Sequence, residues 1–190
     1  PFRSLAHNGE INTLKGNINW MKVHEQEMFS SKFEGMENLK PVIPDGNSDS
    51  ASLDNVFELL TMSGHSAPLT KLMLIPDAWS KKNKILPTNQ LKLFNFLNST
   101  MEPWDGPAAI AGTDNEWVIV ASDRNGLRPL RYTITKDKLL FAGSETGMVD
   151  LKEDTIISKG RLGPGEILGV RIEKGKVFSN TQIKDYLSKE

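Results

Sequence analysis

The 190-residue chain contains no cysteine. Disulfides, thiolate metal sites and a thiol nucleophile are therefore excluded within these residues. Histidine is scarce, and His7, His24 and His65 lie far apart, without the short spacing of metal ligands. No metal site is expected. Neither sign of charge dominates: 23 Lys and Arg face 24 Asp and Glu, for a formal net charge of -1. Such a balance provides no basic surface for nucleic acid or an anionic membrane. No apolar run approaches the roughly 20 residues needed to span a bilayer, and no charged-then-apolar leader opens the chain.

What is present is ordinary globular composition, 38% hydrophobic and 25% charged, over a length that suits one domain with one sizeable core. The first residue is Pro1 rather than methionine, which reads as an internal piece of a longer protein. Leu14, Ile18, Met21 and Glu25, at spacings of three and four, predict an amphipathic helix from Asn12 to about Ser30, capped by Asn12 or Thr13 and weakened by Gly16. Residues 31–52 are rich in turn formers and read as a long loop. Ser52 is read as the N-cap of a second helix, "LDNVFELLTMSG", stopped by Gly64. Further helices are expected in "PLTKLMLIPDAW" and "TNQLKLFNFLNSTM". The period then shortens. "AAIAGT", "WVIVAS", "LRYTIT" and "KLLFAGS" read as consecutive antiparallel strands joined at Asp114-Asn115, Asn125-Gly126 and Lys136-Asp137. "EILGVRIEKGKVF" adds a hairpin turning at Lys174-Gly175, and the tail reads as partly helical. The class is α+β.

Three stretches carry polar groups suited to chemistry. In "LAHNGEIN", Asn8-Gly9 is a frequent turn pair. It is also a side-chain amide beside a glycine N–H, a combination that can hold the oxyanion of an acyl-transfer intermediate. In "GNSDSASLDN", Asp49 precedes a helix, where it either caps that helix or supplies a counter-charge for a substrate ammonium group. "DRNGLRPLRY" is either an exposed hairpin or a clamp, with Arg124 paired to Asp123 or to a neighbouring loop. Trp104 in "MEPWDGPAA" reads as an anchor and Asp105-Gly106 as a turn; His7 reads as orienting its own loop.

Taken in order, "PFRSLAHNGEINTLKGNINWM", "SDSASLDNVFELL", "LMLIPDAW", "MEPWDGPAAI", "SDRNGLRPLRY", "GSETGMV" and "KGRLGPGEIL" closely resemble the glutaminase region of the large subunit of bacterial-type glutamate synthase, a class II glutamine amidotransferase domain. The resemblance covers nearly the whole chain. "AHNGEIN" and "DRNGLRP" have relatives across class II amidotransferases, whereas "EPWDGPAA" and "NTLKGNINWM" point to glutamate synthase in particular.

The resemblance implies the N-terminal nucleophile fold, an αββα sandwich of two antiparallel sheets. Residues 1–190 are then the C-terminal portion of a single amidotransferase domain lacking its N-terminal strands and nucleophile. It further implies hydrolysis of L-glutamine to glutamate and ammonia, with Asn8 and Gly9 as the oxyanion hole and Asp49 receiving the substrate's α-ammonium group. The cysteine nucleophile and the arginine that binds the substrate carboxylate are assigned to sequence upstream of Pro1. The isolated segment is expected to be inactive and only marginally stable. In the full-length family, ammonia passes to 2-oxoglutarate in other domains, which use FMN and an iron–sulfur cluster, with electrons from FAD and NADPH through a small partner subunit or from ferredoxin. No cofactor site is read in this segment, and a cytoplasmic location is expected. The alternatives are another class II amidotransferase, such as amidophosphoribosyltransferase or asparagine synthetase, and a non-catalytic glutamine-sensing module of the same fold.

Overall fold

A computed structural model describes residues 2–29, 31, 35–77 and 87–189. Its elements run in the order β1 (Leu5–Gly9), α1 (Leu14–Glu27), α2 (Asp49–Met62), α3 (Ala67–Leu74), α4 (Thr88–Thr100), β2 (Ala108–Thr113), β3 (Trp117–Ser122), β4 (Arg131–Thr135), β5 (Leu140–Gly143), β6 (Ile156–Arg161), β7 (Ile167–Arg171), β8 (Lys176–Phe178) and α5 (Asn180–Leu187).

Alternation along the strands decides the layers. In β2 and β3, Ala108, Ile110, Trp117, Ile119 and Ala121 point to one side and join Leu53, Phe57, Leu72, Leu74 and Phe94 of the helices in the larger core. Ala109, Val120 and Leu168 point the other way and pack with Leu130 and Leu162, against which Tyr132, Leu140 and Ala142 also lie. Two antiparallel sheets thus pack face to face. One has the order β1-β2-β3-β7-β8 and the other β5-β4-β6. Helices cover the outer face of the larger sheet. The expected sandwich therefore holds in three layers, α, β and β, among the described residues. The outer face of the smaller sheet presents Arg131, Lys159, Arg161 and Ile157, the last 64% exposed.

Several local expectations change. Asn8-Gly9 is no turn: it ends strand β1, with Asn8 opposite Ala109 and Gly9 opposite Ala108. Helix α2 begins at Asp49, and its cap is Ser48, whose side chain accepts from the Ala51 N–H. Ser52 lies inside that helix, fully buried, with its hydroxyl donating to the Ser48 carbonyl. Asn125-Gly126 does not close a hairpin, because β3 and β4 belong to different sheets. Part of the segment read as loop forms a 3-10 turn at Met36–Leu39. Strand β6, which the sequence did not announce, pairs with β4. Trp20 and Val23, beside the apolar stripe of α1, are half exposed at 51% and 52%. Helix α3 stops at Leu74, since the residue before Pro76 is pushed out of helical conformation; the last two residues of that expected helix, Ala78 and Trp79, lie outside the described residues. The tail is a regular helix closed by a Ser179–Gln182 capping box.

A buried cation ties these layers together. Lys71 of α3 is fully buried and donates to the Gly165 carbonyl at 3.1 Å, with Asp77 Oδ1 3.9 Å away. Lys184 of α5 pairs with the same aspartate. Burial is the main force on the Lys71 ammonium and lowers its pKa to about 8, against the pull of Asp77.

Candidate active site

The site is built on the edge of β1 that carries no further strand among the described residues. Glu10 N–H donates to the Pro107 carbonyl at 2.9 Å, and Thr113 N–H to the Ser4 carbonyl at 2.9 Å. Even-numbered residues of this strand therefore face β2, and antiparallel alternation turns the N–H groups of Leu5, His7, Gly9 and Ile11 outward. The two outer ones are taken by carboxylates of α2. Leu5 N–H donates to Asp54 Oδ1 at 2.8 Å, and Ile11 N–H to Asp49 Oδ2 at 2.9 Å. Between them the Gly9 N–H lies on the open edge.

Gly9 is dictated by crowding. A Cβ at this position would sit 1.9 Å from the Pro107 carbonyl oxygen and 2.8 Å from His7 Nε2. A side chain at Gly106 would meet the Glu10 carbonyl oxygen at 2.0 Å. The two segments lie backbone on backbone, closed by Asn12 N–H donating to the Asp105 carbonyl at 2.8 Å.

Asn8 points to the opposite face from Leu5 and His7. Its Nδ2 donates at 2.7 Å to Oγ of Ser144, the residue after β5, so the amide spans the two sheets at their common end. Asp49 does not cap its own helix, a task taken by Ser48. Its carboxylate reaches the strand instead, and its side chain is 14% exposed. The structure thus brings Gly9 and Asp49 to one strand edge and sends the Asn8 side chain toward the smaller sheet.

The loop after β3 is organised by Asp123, which the sequence offered only as a partner for Arg124. Asp123 is buried and accepts from the N–H groups of Ala108, Asn125, Leu127 and Arg128 at 3.0–3.1 Å. Burial alone would raise its pKa; the backbone donors outweigh that and hold the carboxyl below its usual range. Its own N–H and carbonyl bond Ala108 and Gly165. The spacing D-x-N-G, in which an aspartate folds the chain back onto itself, was the available signal. Arg124 pairs with Asp105 at 3.2 Å. Arg124 thus pairs with a neighbouring loop rather than with Asp123, and "DRNGLRP" is tied to "EPWDGP". Trp104 is buried, with its backbone N–H donating to the Leu74 carbonyl at 2.7 Å, so the anchor reading stands. His24 meets Glu102 at 2.7 Å from the face of α1, and His65 lies in a loop against the Leu60 carbonyl. Among the described residues no cluster of three or more His, Cys, Asp or Glu could hold a metal ion, and no helix is long and apolar enough to cross a membrane.

A family model for class II glutamine amidotransferases matches residues 1–190. The chain belongs to that family. The large chain of NADPH glutamate synthase from Azospirillum brasilense is 54% identical over 189 residues, which cover 99% of this chain and 12% of that protein. The corresponding large chain from Bacillus subtilis is 41% identical, covering 100% and 12%. Ferredoxin-dependent glutamate synthase 2 from Synechocystis is 43% identical, covering 97% and 12%. The chain therefore spans about an eighth of the length of these curated relatives. Among solved structures, glutamine phosphoribosylpyrophosphate amidotransferase from B. subtilis aligns over 92% of this chain and 28% of its own, at 23% identity and a TM-score of 0.45.

Proposed function

We propose that this chain is the part of a glutamate synthase glutaminase domain that binds glutamine and stabilises the charge formed when its carboxamide is attacked. The observation that carries this reading is that edge of β1, where an outward glycine N–H lies beside a carboxylate fixed to the same strand. The thiol nucleophile comes from outside these residues, which hold no cysteine, as does the arginine for the substrate carboxylate; together they complete a single domain.

When the thiolate sulfur bonds to the side-chain carbonyl carbon, the carbonyl π pair moves onto oxygen. The Gly9 N–H is one donor for that oxygen, and the Asn8 amide, with a second N–H beside the one it gives Ser144, is the other; both strengthen as its charge grows. Collapse of the intermediate returns the pair to the C=O bond and breaks the C–N bond, and the nitrogen leaves as ammonia with the proton that the thiol gave up. Water then cleaves the thioester to glutamate. Asp49 holds the α-ammonium group throughout; at about 4 Å in a partly screened site that attraction is on the order of 4 kcal/mol before desolvation is subtracted. The ammonia is used by the remaining domains of the large chain, where the flavin, the iron–sulfur cluster and the electron-donating partner also belong.

The test compares two variants of the full-length enzyme. N8A should lower kcat about 100-fold or more with KM for glutamine little changed, because its donor acts on the developing charge. D49N keeps an acceptor for Ile11 N–H but loses the charge, and should raise KM about 10- to 100-fold with a smaller effect on kcat. Equal losses of kcat in both, with KM unmoved, would contradict the assignment.

A further inference from the structure

The His7 side chain is wholly excluded from solvent, unusual for a residue on an edge strand. Its Nδ1 lies 2.8 Å from Ser50 Oγ, and Ser50 Oγ is in turn placed to donate to Asp49 Oδ1 at 3.4 Å. Direct contact between ring and carboxylate is longer, 3.8 Å from Nδ1 to Asp49 Oδ2. The other nitrogen, Nε2, is buried and makes no hydrogen bond in this geometry among the described residues. It lies against Gly9, where a Cβ would come within 2.8 Å of it.

We propose that His7 is a positioning residue, which holds the Asp49 carboxylate through the Ser50 hydroxyl in the orientation that receives the substrate's ammonium group. The proton inventory selects the tautomer. A serine hydroxyl has one proton to give. Given to the carboxylate, it leaves Ser50 Oγ to accept from a ring N–H, so His7 carries its proton on Nδ1 and Nε2 is bare. The opposite tautomer would spend an Nε2–H on the Pro107 carbonyl and turn a lone pair toward a hydroxyl already committed to the carboxylate. Burial lowers the pKa of the ring, against the pull of Asp49, a bond to the Pro107 carbonyl open to the protonated ring, and Glu10, and together with Arg128. The neutral form that the chain of bonds requires is thereby favoured.

This inference rests on Asp49 as the ammonium site, and amide replacements in the full-length enzyme test it separately from that reading. Asparagine places its amide nitrogen where Nδ1 stands, and glutamine places its own where Nε2 stands. H7N should keep KM for glutamine within about threefold of wild type, whereas H7Q should raise it about tenfold or more, with kcat moved much less in both. S50A should match H7Q, and the H7Q/S50A double variant should be no worse than either single one, as links of one chain are not additive. A merely structural histidine would make H7N and H7Q lose thermal stability and activity alike, and that outcome overturns the proposal. So does an S50A enzyme with unchanged KM, a variant mild enough to fold even where the histidine replacements do not. If D49N itself leaves KM unchanged, the ammonium site is wrong; if D49N raises KM while S50A and H7Q do not, only the role of His7 fails.

Discussion

Gly9→Ala offers the sharpest test of the site, because the substitution leaves its functional group chemically intact. The backbone N–H survives; only its position changes. The new methyl would stand 1.9 Å from the Pro107 carbonyl oxygen, while ordinary contact begins at 3.4 Å. About 1.5 Å must therefore be found by pushing apart two backbone segments, more than a flexible side chain could absorb. The bond from Glu10 N–H to the Pro107 carbonyl, now 2.9 Å, is the first casualty. Loss of that bond and the attendant strain should cost about 2–4 kcal/mol of stability. The catalytic cost is larger in proportion, since a displacement of about 1 Å at a reacting centre can lose on the order of 100-fold. The full-length G9A enzyme should therefore keep its fold with a melting temperature lowered by several degrees and lose about 100- to 1,000-fold in kcat for glutamine hydrolysis. KM should move less than kcat, as Asp49 sits on α2 even though its bond to Ile11 N–H and its neighbour His7 lie close to the substitution. Steady-state glutaminase kinetics beside a calorimetric melt would read both quantities. Gly16→Ala in α1 is the control, with nothing within 4 Å of the added carbon, and should be neutral or stabilising by up to about 1 kcal/mol. A G9A enzyme within threefold of wild-type kcat would refute the placement of the Gly9 N–H at the developing charge.

Two further outcomes concern stability. Asp123→Asn should destabilise by at least about 3 kcal/mol, because its amide nitrogen must face N–H donors that now bond a carboxylate. The folded carboxyl is depressed, so its contribution is present above the unfolded pKa and lost as pH falls through the folded one; urea unfolding at neutral and acid pH should show a flatter acid limb in the variant. Lys71 titrates the other way from a surface lysine in a salt bridge. Between its folded value near 8 and its ordinary 10.5 the unfolded chain binds more protons, so this group makes stability rise with pH across that window. The increment should vanish in Lys71→Met, and a variant with the same alkaline slope as wild type would contradict it.

The legibility of the fold followed the range of the interactions that make each element. "AAIAGT" and "WVIVAS" match β2 and β3 residue for residue, because alternation and the Asp114-Asn115 turn are local. β1 escaped notice, as its pairing partner Ala108–Gly112 lies at the far side of the helices, and pair statistics pulled Asn8-Gly9 toward a turn. β6 contains Ser158, Lys159 and Gly160 and gains its identity only against β4. Ser48, Ser50 and Ser52 are all competent caps; Ser48 prevails where the helix begins, Ser50 turns to His7, and Ser52 is buried. Hairpin spacing could not reveal that β3 and β4 lie in different sheets. Asn8, Gly9 and Asp49 were candidates from residue chemistry and from family motifs alike; that Gly9 and Asp49 share one strand edge while the Asn8 side chain leaves it required the ladder register. Ser144, which receives the Asn8 amide across the sandwich, lay in the matched stretch "GSETGMV" but was not singled out there.

The pitch of a β-strand supplies a length scale for the proposed site. Outward N–H groups on one strand edge recur about every 7 Å. Extended glutamine spans about 5 Å from its α-nitrogen to its carboxamide carbon, and about 6 Å to the amide oxygen. A carboxylate bonded at Ile11 and a free donor at Gly9, the next outward position, are therefore separated by a distance of the substrate's own order. Shifting the carboxylate one outward position further along the strand would double the gap and strand one end of the ligand. The charge on Asp49 alone does not set this distance; its bond to the Ile11 N–H does. Asp49 and a second α2 carboxylate, Asp54, take the strand's outward donors at Ile11 and Leu5, so among the described residues the outward donors left between them are those of His7 and Gly9.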